Sequence, residues 1–190
     1  EVAFLVMDLQ DHQQAQLAQR FLNAYLQHTG DYAGIRLLRF YLVYRAMVRA
    51  KVDAIRAAQD GISQPERNEA EKDFAGYLQL AKSYIRPSIP QLIITRGLSA
   101  SGKTTETQPV LELLGAIRIR SDVERKRLFG IPAEQSAAAK TGEGIYTADA
   151  TQQTYARLVE LTEIILDAGY TVIVDAANLK YEQRSLFQQL

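Results

Sequence analysis

The sequence contains no cysteine and only two histidines, His12 and His28. Without cysteine, the chain can form neither disulfide bonds nor thiolate metal sites. Two histidines also argue against a histidine-based zinc site, which takes three or four protein ligands. These absences exclude a disulfide-stapled fold and argue against a zinc site.

The chain also lacks an excess of charge of either sign, because 22 basic residues balance 22 acidic ones. A balanced chain is not drawn as a whole to nucleic acid or to anionic membranes, although a local basic patch can still form. No run approaches the roughly 20 apolar residues that span a bilayer. Residues 1–8 are acidic at both ends and lack the basic region of a signal peptide. We therefore predict a cytoplasmic protein without a membrane partner.

The composition is that of an ordinary globular protein, with 47% hydrophobic and 23% charged residues among 190. Residues 1–86 show apolar side chains at helical spacing throughout. A glycine stop at Gly30, a break at Gly61 and a helix start at Ser63 separate the predicted helices. The prolines of residues 87–90 then favour an extended connector.

From residue 91 to residue 190 the pattern changes to strands alternating with helices. Short β-rich runs occupy residues 92–95, 116–119 and 171–174. Alternation of this kind predicts a parallel sheet and an α/β fold, preceded by the all-helical segment. Three buried strands make a narrow sheet, so we expect the sheet to be incomplete and the chain to be a fragment.

Residues 97–104 carry the pattern G-x-x-x-x-G-K-T between a predicted strand and a predicted helix. The two glycines allow backbone N–H groups to surround a phosphate, and the following helix adds its positive end. Lys103 would reach the β- and γ-phosphates, and Thr104 would offer a hydroxyl to Mg²⁺. The alternative, a glycine turn without a ligand, is disfavoured by the strand–loop–helix context. The predicted nucleotide contacts are Gly97, Leu98, Ser99, Ala100, Ser101, Gly102, Lys103, Thr104 and Thr105.

Asp175 ends the third apolar strand, where a carboxylate can reach Mg²⁺ directly or through water. It is therefore the second predicted metal ligand beside Thr104. The alternative is a carboxylate that caps the next turn.

Asp122 follows the second strand on the side where ligands bind in open α/β sheets. A carboxylate there could accept the proton of an acceptor hydroxyl, and Arg125, one helical turn later, could hold the acceptor or a phosphate. The alternative is an N-terminal helix cap followed by a solvated basic face. Spacing alone does not decide between the two.

The second half of the chain resembles the small P-loop kinases related to gluconate kinase, chloramphenicol phosphotransferase, zeta toxin and polynucleotide 5′-kinase. The resemblance covers residues 91–190 and implies a P-loop kinase-like fold in which Asp122 binds or activates the acceptor hydroxyl. The spacing of Asp175, Asn178 and Arg184 is most similar to the polynucleotide kinase branch. These families also carry an arginine-bearing lid, which we expect beyond this fragment, so the fragment alone could be inactive.

The first half has a separate resemblance, carried by the motifs around Phe21, Gly30 and Tyr41 to Val52. It looks like the final helices of an aminoglycoside-phosphotransferase-like domain, which precedes a P-loop kinase in a family of two-domain bacterial proteins. The resemblance implies that residues 1–86 contact the remainder of that domain. Its catalytic loop would lie upstream, so we assign no catalytic residue before residue 87.

Together these observations predict an ATP- and Mg²⁺-dependent phosphotransferase acting on a hydroxyl of a small molecule. Lys103, Asp122 and Arg125 are the predicted catalytic residues. One alternative is a polynucleotide 5′-hydroxyl kinase, which the neutral charge disfavours. Another is a regulatory module that binds ATP without transferring its phosphate.

Overall fold

The computed structural model describes residues 1–132, 144–188 and 190. The chain divides into two compact units. The first comprises residues Glu1–Leu22 and Gly34–Pro87, and the second comprises Asn23–Ala33 and Ser88–Leu190. Within the described part of the chain, no helix combines the length and the apolar character that crossing a membrane requires.

The first unit is helical, as its apolar spacing predicts. Its elements are α1 (Val2–Asp11), the beginning of α2 (Ala15–Thr29), α3 (Ile35–Ala57) and α4 (Gln64–Tyr84). No strand occurs in residues 1–86, all of which the structure describes. Helix α3 packs against both α1 and α4 and buries small and branched residues along one face. The predicted α4 start is confirmed, since the Ser63 backbone N–H donates to the Glu66 carboxylate at 3.1 Å.

The second unit contains a parallel sheet, which confirms the predicted α/β fold class. Strands β1 (Leu92–Ile94), β2 (Ile117–Arg120) and β3 (Val172–Asp175) lie in the order β1-β3-β2. Helix α5 (Lys103–Leu114) follows β1 and α6 (Ser121–Leu128) follows β2. A 3₁₀ turn (Gly144–Tyr146) and α7 (Ala148–Asp167) lead into β3, and α8 (Tyr181–Ser185) comes after it. Because all three strands run in one direction, their carboxyl ends meet at one edge of the sheet.

The side chains of the sheet alternate between two faces, and the strand register identifies which residues share a face. Ile173 is paired with Ile93 and with Arg118, so these three side chains point to the same side. On that side Leu111 of α5 packs with Ala116, Ile173 and Ile93. The opposite side carries the buried residues Ile117, Ile119, Val172 and Val174, and α7 packs against β2 and β3.

The outer edge of β2 is closed by a side chain rather than by another strand. Ile117 donates its backbone N–H toward β3, so the polar groups of its two neighbours point away from the sheet. There the Asn23 amide accepts the Arg118 N–H at 2.8 Å and donates to the Ala116 carbonyl at 3.0 Å. Asn23 is 4% exposed. The α2 residue therefore satisfies two strand groups that would otherwise be buried without partners.

We predict that Asn23→Leu lowers the free energy of unfolding by about 2–6 kcal/mol. Leucine has a similar volume but leaves the Arg118 N–H and the Ala116 carbonyl unpaired, and each such buried group costs roughly 1–3 kcal/mol. Urea denaturation measures the change. The matched control is Gln16→Leu, at an exposed position of the same helix, which should shift stability by about 0.5 kcal/mol or less. Equal stability of the Asn23 variant and the wild type would contradict this account of the edge.

Candidate nucleotide and acceptor site

The glycine-rich loop between β1 and α5 has the backbone geometry of an anion-binding turn. Gly102 lies in the left-handed region with φ of 83° and Gly97 has φ of 154°. Ala100 also has a positive φ, of 62°, which is uncommon for a residue with a side chain. Alternating right- and left-handed residues direct successive N–H groups into one concavity, and this loop opens at the N-terminus of α5. Of the predicted contacts, Leu98, Ser99 and Ser101 lie exposed in the loop, and Thr105 is exposed in the first turn of α5.

A side chain at position 97 would enter the loop itself. A Cβ built on Gly97 would meet Ser101 Oγ at 3.0 Å and Lys103 Cδ at 3.6 Å. Lys103 lies over the same loop, because its ammonium donates to the Leu98 carbonyl at 2.5 Å and approaches Ser101 Oγ at 3.5 Å. The loop thus gathers backbone donors and one ammonium group around a space into which a side chain at position 97 would project.

The two predicted metal ligands are in direct contact. Thr104 Oγ1 donates to Asp175 Oδ2 at 2.5 Å, which joins the first turn of α5 to the carboxyl end of β3. Asp175 is 6% exposed, so its carboxylate lies beneath the loop rather than in open solvent. Within the residues the structure describes, no group of three or more histidine or acidic residues could hold a metal by itself. A cation bound here would therefore take most of its ligands from phosphate oxygens and water, as Mg²⁺ usually does.

Asp122 lies in the first turn of α6, directly after the carboxyl end of β2. In the strand register Arg120 is paired with Asp175, so Asp122 follows the same edge of the sheet as the loop and Asp175. Its side chain does not cap the helix. It accepts from Arg120 Nη2 at 2.9 Å and is 53% exposed. The Asp122 carboxylate, which we predicted to bind the acceptor hydroxyl, is thus accessible to solvent and adjacent to the Arg120 guanidinium.

Arg125, the predicted partner of Asp122, contacts other elements. Its Nε donates to Thr154 Oγ1 at 3.3 Å, and its guanidinium lies 5.1 Å from the ring centroid of Tyr146. These contacts join α6 to α7 and to the 3₁₀ turn. Arg125 therefore contributes to the placement of α6 in addition to any role toward an acceptor.

A buried ionic cluster, which the sequence did not reveal, also holds α6. Glu124 is fully buried and pairs with Arg127, and its other oxygen lies 3.8 Å from Arg157 Nε of α7. Arg127 also donates to the Gln27 carbonyl at 2.5 Å. The charge of Glu124 also acts on the buried Tyr32. Burial raises the pKa of the Tyr32 hydroxyl far above its usual range, and the negative charge of Glu124 adds to that shift. In the sequence helix α6 looks like an exposed basic face, because Arg125, Lys126 and Arg127 are consecutive.

Asn178 and Arg184, whose spacing suggested a polynucleotide kinase, contact the chain itself. The Asn178 side chain is fully buried and donates to the Thr95 carbonyl at 2.8 Å. Its backbone N–H donates to the Tyr155 hydroxyl at 3.2 Å, and Arg184 donates to the carbonyls of Asn178 and Leu179. With φ of 48°, Asn178 adopts the left-handed conformation that asparagine tolerates better than most residues. The pair therefore secures the turn after β3.

Arg118 of β2 is another residue whose contacts the sequence did not reveal. Its Nη1 donates to the Thr104 carbonyl at 2.8 Å and to Thr107 Oγ1 at 3.3 Å, and its Nη2 donates to Gln108 Oε1 at 2.9 Å. The alternation of isoleucine and arginine over residues 117–120 suggests a strand with one solvated face. The face is instead covered by α5.

Comparison with known proteins identifies the second half of the chain. Residues 92–190, just over half of the chain, match the family described as AAA domain. Over 175 residues, or 92% of the chain, the sequence is 31% identical to the uncharacterized protein Rv2004c of Mycobacterium tuberculosis. The uncharacterized protein Mb2027c of Mycobacterium bovis matches with the same identity and coverage. The chain spans about a third (34%) of the length of these relatives.

No solved structure matches the chain significantly. The family match covers the glycine-rich loop, Asp122 on α6 and Asp175 at the end of β3. The chain belongs to the AAA domain family, and residues 92–190 form its nucleotide-binding, P-loop kinase-like domain.

Proposed function

We propose that the protein transfers the γ-phosphoryl group of ATP to a hydroxyl of a small molecule, with Mg²⁺ as the metal. The observation that carries the proposal is the 2.5 Å contact between Thr104 Oγ1 and Asp175 Oδ2. It joins the hydroxyl of the phosphate loop to a strand-end carboxylate, which is the pair of groups that organises Mg²⁺ in P-loop enzymes. The membership of a P-loop kinase-like family supports the same reaction class.

The residues at this site fit both ATP and Mg²⁺. The loop offers backbone donors, an open position at Gly97 and the Lys103 ammonium, which suit a polyphosphate. Thr104 and Asp175 offer oxygen ligands, which suit a hard cation better than a soft one. When bound, ATP would supply the phosphoryl group and Mg²⁺ would offset the charge of its oxygens.

In this scheme the chain contributes positioning and charge rather than covalent chemistry. The backbone donors of residues 97–105 hold the phosphates, and Lys103 exchanges its contact with the Leu98 carbonyl for phosphate oxygens. Thr104 and Asp175 would bind Mg²⁺ beside the loop. Such preorganised donors act without reorganising during the reaction, which makes them effective.

We assign the acceptor side to Asp122, with Arg125 next to it on α6. The accessible Asp122 carboxylate at the same sheet edge is suited to orient an acceptor hydroxyl and to accept its proton. The contact with Arg120 keeps a positive charge beside it. The Glu124 cluster supports this role indirectly, because it fixes the helix on which Asp122 lies.

A polynucleotide 5′-hydroxyl kinase is the first alternative. This alternative was suggested by the spacing of Asn178 and Arg184 in the sequence. Asn178 is fully buried, so its side chain is not available to contact a substrate. The balanced charge of the chain also offers little attraction to an oligonucleotide. The second alternative, a regulatory ATP-binding module, shares the loop and the metal site but makes no use of Asp122.

We further propose that residues 1–86 belong to an aminoglycoside-phosphotransferase-like domain and contact more of that domain in a longer cytoplasmic protein. Helix α3 supports this, because it exposes a second apolar stripe on the face away from its buried one. Large exposed apolar stripes mark contact surfaces. The stripe consists of Leu37, Phe40, Tyr41, Tyr44, Val52 and Ile55. The relatives are about three times as long as the chain, which leaves material for such a domain.

The deciding experiment is a phosphate-transfer screen with the full-length protein and γ-labelled ATP. The acceptors are sugars, aminoglycosides, nucleosides and a 5′-hydroxyl oligonucleotide. Transfer to a small hydroxyl compound supports the proposal. Transfer only to the oligonucleotide supports the first alternative, and tight ATP binding with no product supports the second.

We predict that Lys103→Ala weakens binding of ATP–Mg²⁺ by about 1.5–3 kcal/mol, the scale of a lost hydrogen bond to a charged group. Isothermal titration calorimetry measures the change. Lys72→Ala, at an exposed position of α4, is the control and should bind as the wild type does. Unchanged affinity in a folded Lys103 variant would contradict the role of the loop.

The two carboxylates should respond differently to neutralisation. We expect Asp122→Asn to leave ATP affinity nearly unchanged while it lowers phosphate transfer by about a hundredfold or more, as loss of a general base does. Asp175→Asn should instead raise the Mg²⁺ concentration that half-saturates the reaction. Titration of Mg²⁺ at saturating ATP separates the two. If Asp122→Asn changes only the Mg²⁺ requirement, the acceptor assignment is wrong.

A further inference from the structure

Arg118 is a buried cation at the core of the nucleotide-binding unit. Its side chain leaves β2 on the face covered by α5, in the same row as Ile93 and Ile173, and the residue is 7% exposed. Apolar side chains fill the rest of that row. An arginine in this position is unusual, since arginine is almost never fully buried unless it is paired.

The contacts of Arg118 are with neutral groups. Its donors reach one carbonyl, one hydroxyl and one amide, all of them in the first two turns of α5. Its Nε is buried without a hydrogen-bond partner among the described residues. Burial lowers the pKa of the guanidinium, and the nearby Asp175 carboxylate opposes that shift. Because arginine keeps its proton in proteins, the core holds a positive charge that is bonded to no carboxylate of the described residues.

A charge in this environment costs more stability than an apolar side chain of similar volume. The position of the charge suggests what offsets that cost. Nη1 bonds to the carbonyl of Thr104 at 2.8 Å, and Thr104 is the residue whose hydroxyl meets Asp175. The guanidinium therefore lies directly behind the turn whose N–H groups open toward the phosphate loop.

We propose that Arg118 is a positioning residue of the phosphate site, which holds the first turn of α5 and adds a buried positive charge behind the loop. The inference rests on the proposed function, since it assumes that the loop binds a polyphosphate. Arg118 acts through two routes. The hydrogen bond to Thr104 orients the turn, and the charge attracts phosphate through a medium in which salt screens poorly.

The charge route distinguishes this role from a structural one. A charge attracts a ligand in proportion to the ligand's own charge, so its removal should weaken ATP binding more than ADP binding, and ADP binding more than AMP binding. A residue that only stabilises the fold should affect the three ligands by the same factor, because they share the adenosine group and the loop.

The experiment compares Arg118→Met, Arg118→Gln and Arg118→Lys in the whole chain, with ATP, ADP and AMP as probes in calorimetry. Methionine keeps the volume and removes the charge, glutamine keeps a donor without charge, and lysine keeps the charge without the planar fork. Lys72→Met, which removes an exposed cation of α4, is the control. Thermal unfolding of each variant without nucleotide is the second readout.

We expect Arg118→Met and Arg118→Gln to lower the affinity for ATP by about tenfold to a hundredfold, with a smaller loss for ADP and little loss for AMP. Arg118→Lys should keep the ratio of ATP to AMP affinity close to that of the wild type. If the methionine variant does not fold, the comparison of lysine with glutamine still decides. The control should match the wild type with all three probes.

Two results would overturn the inference while the proposed function stands. One is equal loss for ATP, ADP and AMP, which would assign Arg118 to the fold alone. The other is unchanged affinity in the folded, uncharged variants. A wild-type chain that binds none of the three nucleotides would overturn both the inference and the nucleotide site on which it rests.

Discussion

The structure of the second unit depends on the position of β3 between β1 and β2. Because all three strands are parallel, this order brings the loop after β1, the last residue of β3 and the helix after β2 to one edge of the sheet. Asp175 at the end of β3 is therefore close enough to Thr104 to accept its hydrogen bond. Without that order of strands these two side chains would not meet, since they are 71 positions apart in the sequence.

Several buried side chains link the elements that meet at this edge of the sheet. Arg118 fastens β2 to α5, and Glu124 with Arg127 and Arg157 fastens α6 to α7. Asn178 fastens the end of β1 to the turn after β3. All three devices place buried polar or charged groups near the carboxyl edge of the sheet, where apolar side chains of similar volume are often as stable or more so.

Much of the fold was predictable because it depends on local signals. The glycine loop, the apolar strands and the Ser63 helix start are short patterns with a direct physical cause, and the structure confirms each element to within a residue or two. The sequence also predicted Thr104 and Asp175 as two ligands of Mg²⁺; their direct contact is a finding of the structure. Arg118, Glu124 and Asn23 were not, because a single sequence does not reveal which polar side chain is buried. That depends on contacts between residues as far apart as 95 positions, for which composition and periodicity carry no signal.

The closure of the β2 edge by Asn23 has a consequence for how this architecture can be rearranged. Asn23 lies 64 positions before the proline at position 87, in a segment that is contiguous in sequence with the helices rather than with the sheet. A gene fusion or excision at the prolines would cut the chain where the sequence pattern changes, yet it would leave the kinase-like module with an unpaired strand edge that can pair with other chains. When this module is transferred between proteins, by evolution or by engineering, residues 23–33 therefore have to be transferred with it.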